Sequence, residues 1–92
     1  MRYYGKDHAK KLIEVLEKRL KLKDPKFKLE SLSGGKLAGS VISDTFMRLE
    51  DSERQKHIWD ALEDEFGDSA TQLVSTLLAY TDAEWNQSFA SN

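Results

Sequence analysis

Ninety-two residues supply one small domain with a single hydrophobic core and are too few for two. Hydrophobic residues at 39% and charged residues at 33% exclude intrinsic disorder, and zero cysteines exclude disulfides, thiolate metal sites and thiol nucleophiles. The net charge of −2 conceals an imbalance, because residues 1–36 carry eleven Lys/Arg against five Asp/Glu and residues 37–92 carry three against eleven. The fold either presents the two sets to a charged partner on separate faces or lets them neutralise one another.

The first stretch, MRYYGKDHAKK, lacks the apolar run of a signal peptide, and no segment approaches the roughly 20 residues that span a bilayer. A cytoplasmic protein is the expectation. Residues 7–23 place Ala9, Leu12, Ile13, Leu16 and Leu20 on one stripe, which predicts an amphipathic helix with Asp7 as its N-cap, basic residues in its last turn and a stop at Asp24-Pro25. The period then changes to alternation, with Phe27 and Leu29 on one side and Lys28 and Glu30 on the other, so a strand is expected. SGGK at 33–36 provides a turn, and LAGSVISDTF provides a second strand holding Val41 and Ile42, closing a hairpin.

A second helix is predicted over 52–66, burying Ile58, Trp59, Leu62 and Phe66 and ending at Gly67. Ser52 and Gln55 have the spacing of a capping box, which would occupy the Gln55 amide at the start of its own helix. SATQLVSTLLAY fits helical and strand spacing equally well. A last short helix begins at a second capping-box pattern, Thr81 with Glu84, and spaces Trp85 and Phe89 one turn apart before the tail Ala90-Ser91-Asn92.

Three stretches in order carry a resemblance to the BolA-like family: Ile42-Ser43-Asp44-Thr45-Phe46, Arg54-Gln55-Lys56-His57-Ile58-Trp59 with Leu62, and Thr81-Asp82-Ala83-Glu84-Trp85. The resemblance implies an α+β fold of order α-β-β-α-β-α, a three-stranded sheet with helices packed on one face, related to the type II KH fold. It also implies that residues 71–80 form the third strand. Members of that family are partners of monothiol glutaredoxins, with which they share a [2Fe-2S] cluster, and are stress-linked regulators suspected of binding DNA. Their clusters are held through imidazole or thiolate. Here Gln55 stands where the R-H-R motif has histidine, and residues 31–39 contain neither histidine nor cysteine. His57 cannot substitute, since it lies roughly 150° around the helix from the apolar face that contains Gln55. Neither a metal nor a cofactor is expected.

Catalysis is not expected either, because Asp60, Glu63, Asp64 and Glu65 gather on an outward helix surface and the serines have no base beside them. Glu53, His57 and Asp60 share a helical face but lack the second histidine of a zinc site, so they read as solvated. His8 has no companion ligand in the sequence. The leading expectation is a non-enzymatic adaptor that meets a protein partner, for which a monothiol glutaredoxin is one candidate, through Ser33, Gly34, Gly35, Lys36, Arg54, Gln55 and Lys56, with the two cations at the helix start pairing carboxylate or phosphate. The alternative is a KH-like nucleic-acid binder using Lys10, Lys11, Lys18, Arg19 and Lys21 of the first helix. Against it stand Glu50, Asp51 and Glu53, a pI near 5.6 and the absence of a G-x-x-G clamp.

Overall fold

Leu12, Val15 and Leu16 recur at spacings of three and four, and the helix they generate buries all three. This helix, α1 (Lys6–Leu20), opens a computed structural model that describes residues 6–87. Helical backbone at Lys6 puts Asp7 inside the first turn rather than at the cap, and the Asp7 side chain lies outside the described residues. The predicted helix end at residue 23 is corrected to Leu20, because Lys21 turns into the left-handed region at φ 51° and breaks the ladder.

The alternating segment forms β1 (Lys26–Ser31), which pairs antiparallel with β2 (Leu37–Ile42). Between them the Leu32 N–H donates to the Lys36 carbonyl at 2.7 Å, and Gly34 and Gly35 take φ of 90° and 92°. At Gly39 a side chain is impossible, since its Cβ would collide with the Lys28 carbonyl oxygen across the pair. The second strand stops at Ile42, short of the predicted SDTF extension. There the Ser43 N–H donates to the Tyr80 carbonyl at 2.8 Å, and Asp44–Phe46 wind into a 3-10 turn. The buried Ser43 hydroxyl accepts from the Lys23 N–H at 3.1 Å and donates to the Lys23 carbonyl at 2.8 Å. One side chain thus joins the exit of α1 to the end of the central strand.

Helix α2 spans Asp51–Phe66. A 3-10 turn (Gly67–Ser69) and the single turn α3 (Ala70–Leu73) lead into β3 (Val74–Tyr80), which runs parallel to β2. The third strand therefore starts three residues later than residue 71, because residues 70–73 remain helical and bury Ala70. The capping box at Thr81 and Glu84 is present and opens α4 (Asp82–Trp85), whose Trp85 ring meets Tyr80 edge-on at 5.4 Å. The expected Trp85–Phe89 stacking and the tail fall outside the described residues.

With strand order β1-β2-β3, Phe27–Val41–Ala79 and Leu29–Gly39–Leu77 line the inner face of the sheet. There they meet Leu12 and Leu16 of α1, and Ile58, Ala61 and Leu62 of α2. Lys28–Ser40–Leu78 and Glu30–Ala38–Thr76 line the other face, where Leu78 is 46% exposed. The fold is α+β, a mixed three-stranded sheet with α1 and α2 packed on one face, in the expected order.

In the link to α2, Arg48 holds φ at 76°, a conformation that costs a residue with a Cβ about 1–2 kcal/mol. Arg48→Gly is expected to raise stability by about 1 kcal/mol in urea unfolding, despite the greater freedom of glycine in the unfolded chain.

Candidate functional site

Helix α2 starts one residue before the expected point, with Glu50 as its N-cap, and the Glu50 N–H donates to Glu53 Oε1 at 3.1 Å. Ser52 is therefore inside the first turn and does not cap the helix. Gln55 is released from the role expected for it. Its Nε2 instead donates across to the Leu77 carbonyl at 2.7 Å.

That carbonyl belongs to an edge. Tyr80 turns its carbonyl toward β2, where Ser43 takes it, so by the alternation of a strand Leu77 and Ala79 turn theirs to the outer side of β3. Gln55 occupies the first, and Arg54 occupies the second through Nη1 at 3.2 Å. An unpaired strand edge is thereby covered by two side chains of one helix turn.

Arg54 was expected as an exposed contact, and its placement corrects that expectation: it is only 6% exposed. Its Nε donates to the Leu49 carbonyl at 2.8 Å, and Nη1 and Nη2 grip the Glu84 carboxylate at 2.7 and 3.1 Å. The guanidinium carbon also stands 5.9 Å from the centre of the Phe46 ring. The charge can be buried because each face of the fork has an acceptor. The Arg54 bonds, followed by the Thr81 N–H, hold the Glu84 carboxyl well below the usual carboxylate range, at about 2, and Glu84 in turn raises Arg54. Sequence spacing showed Glu84 only as a capping residue. Its partner 30 positions earlier left no local signal.

The seven residues expected to form one contact surface do not come together. Ser33, Gly34, Gly35 and Lys36 turn at the end of the sheet where Leu37 lies beside Val74, the start of β3. Arg54 and Gln55 lie on the far border of β3, farther along the strand, at Ala79 and Leu77. Lys56 is exposed and bonds Asp60 one turn on at 2.9 Å, which raises its pKa. His57 is exposed, as its angular position predicted. Glu53, His57 and Asp60 do not form a metal-holding group, and no such group of His, Asp or Glu occurs among the described residues.

The charge imbalance is met partly by pairing. Arg19 of α1 reaches Glu65 at 3.1 Å and Asp64 at 3.7 Å, and Lys11 reaches Glu65 at 3.7 Å. Two of the five cations considered for nucleic acid therefore already face acids of α2, and the Arg19 hydrogen bond lowers the pKa of Glu65. No helix among the described residues is long and apolar enough to cross a membrane.

No protein-family model matches the chain, and no curated protein sequence matches it. Two solved structures do. The BolA domain of SufE1 from Arabidopsis thaliana superposes with a TM-score of 0.59 at 22% identity, covering 89% of this chain and 99% of that one. A bol-like protein from Babesia bovis gives 0.58 at 17% identity, covering 95% of each chain. The chain has the BolA-like fold. The donor set does not fit the [2Fe-2S] cluster that the resemblance brings with it: residues 31–39 offer no imidazole or thiolate, and the Gln55 amide is committed to a strand carbonyl.

The coupling of Arg54 to Glu84 can be tested by acid. A carboxyl with its pKa lowered to about 2 in the fold contributes stability above the ordinary carboxylate range, which is lost as pH falls toward 2. Glu84→Gln is expected to lower stability at pH 7 by about 1–2 kcal/mol, a figure discounted because the carboxylate is half in solvent. Urea midpoints of variant and parent should converge as the pH drops below about 4. A pH-independent difference would mean that the pair is not the source.

Proposed function

We propose that this chain is a BolA-like adaptor, a non-enzymatic regulatory protein that binds a protein partner of the monothiol glutaredoxin type and supplies no iron–sulfur ligand itself. One observation carries the reading: the BolA-like fold is combined with a hairpin turn that is exposed but bears no metal donor. Of the expected contact residues, Ser33, Gly34, Gly35 and Lys36 have no task inside the fold beyond the turn, whereas Arg54 and Gln55 serve the border of β3. The turn also carries Leu32 at 38% exposure and an exposed Lys36 that enters no ion pair among the described residues. An apolar contact flanked by a cation suits an interface whose partner presents an acid beside an apolar surface.

Nucleic-acid binding through α1 has less support, because Lys11 and Arg19 are shared with Glu65 and Asp64.

The test is to mix the purified chain with a cluster-loaded monothiol glutaredoxin and record association by light scattering together with the visible spectrum. A complex is expected whose cluster bands match those of the glutaredoxin alone, with Lys36→Glu weakening association about tenfold. Absence of any complex would overturn the partner reading. New cluster bands that vanish in His57→Ala would overturn the absence of a ligand.

A further inference from the structure

The face of the sheet turned away from α1 and α2 is open along most of its length and closed at one end. In the row Lys28–Ser40–Leu78 the leucine is 46% exposed. In the neighbouring row, Lys26–Ile42–Tyr80, the central Ile42 is 0% exposed, although it stands outside the core cluster between the sheet and the two long helices. An apolar side chain on the outer face of a sheet is withdrawn from water only where another element lies over it.

That element is α4. Its Asp82 pairs with Lys26 at 3.8 Å, at one end of the row, and its Trp85 ring meets Tyr80 at the other. Contact at both ends carries the helix across Ile42. None of the four residues of α4 is itself buried, and most of its ties to the body are polar: Glu84 to Arg54 at 2.7 and 3.1 Å, and the Asp82 N–H to Asp44 Oδ1 at 3.1 Å. The Glu84 side chain is already 45% exposed, so water reaches the guanidinium as the carboxylate leaves. A short segment held by few polar ties and little buried apolar area opens more readily than the core beneath it.

We infer that α4 is a strap that opens as a unit while the sheet, α1 and α2 stay folded, with the Arg54–Glu84 fork as its lock. Closed, it hides Ile42. Open, it joins Ile42 and Tyr80 to the exposed Leu78 as one apolar strip on the outer face, so the molecule can present or withdraw that strip without unfolding. The hairpin turn takes no part in this, and the strap stands or falls apart from the adaptor reading.

Because the chain has no cysteine, a single introduced thiol reports one position alone. The full chain is made as Ile42→Cys under the strap, Val41→Cys in the core and Leu78→Cys on the open face, and each is labelled with a small aromatic disulfide across a range of low urea concentrations. Ile42→Cys is expected to react at least about tenfold faster than Val41→Cys, with little dependence on urea, since strap opening exposes far less surface than unfolding. Glu84→Gln should speed its labelling about tenfold more. The inference is overturned if Ile42→Cys shares the rate and urea dependence of Val41→Cys, if it reacts as fast as Leu78→Cys, or if Glu84→Gln leaves its rate unchanged. Should Ile42→Cys fail to fold, hydrogen exchange of the unsubstituted chain decides. The Thr81, Asp82 and Trp85 amides, all bonded within the closed strap or from it to the body, should exchange with a smaller urea dependence than the Ile58 amide of α2, and an equal dependence would overturn the inference.

Discussion

A guanidinium withdrawn from water is the constraint around which this small protein is arranged. Arg54 sits one turn into α2, yet its acceptors come from the link before the helix, from β3 and from α4. A buried cation tolerates no vacancy among its acceptors, since desolvation costs several kcal/mol that only close partners offset. Leu49, Ala79 and Glu84 must therefore arrive together, which fixes the start of α2 against β3 and fastens α4 to both. Ser43 does comparable work from the other side, tying the chain after α1 to the end of β2. A core of 92 residues has little stability in reserve, so such polar ties decide which packing is unique.

What could be read from the sequence was what depends on neighbours within about one turn. The stripe on α1, the alternation in β1, the glycine turn and the Thr81–Glu84 box are local periodicities or local bonds, and each produces the expected element. Ser52 and Gln55 show the limit of that reading. Their spacing satisfies a capping box, but Glu50 and Glu53 satisfy one too, and the chain uses those because Gln55 is then free to reach β3. The partner of Gln55 lies 22 residues away and that of Arg54 lies 30 away, distances at which no periodicity survives. By spacing alone residues 69–80 fit helix and strand equally for a related reason: a helical turn and a strand follow each other within one apolar run. As for the candidate site, the exposure of the hairpin turn could be anticipated from its glycines. Its separation from Arg54 could not, since that depends on how the strands are ordered.

The likeness to BolA domains and the departure from their chemistry are therefore compatible. The fold is maintained by the sheet rows, by Ser43 and by the Arg54–Glu84 fork, none of which involves a metal donor. The scaffold therefore does not depend on an imidazole or thiolate at residues 31–39 or at position 55.

The two borders of the sheet are defended by different means. On β3 the outward carbonyls at Leu77 and Ala79 are occupied by side chains of α2, while β1 is short and carries exposed Lys26 and Lys28. A strand from another molecule would have to displace an amide and a guanidinium on one side, or align against lysines on the other. Ordered stacking into fibrils is thus opposed at both margins, so that crowding this protein to high concentration should leave it dispersed as long as α2 remains folded.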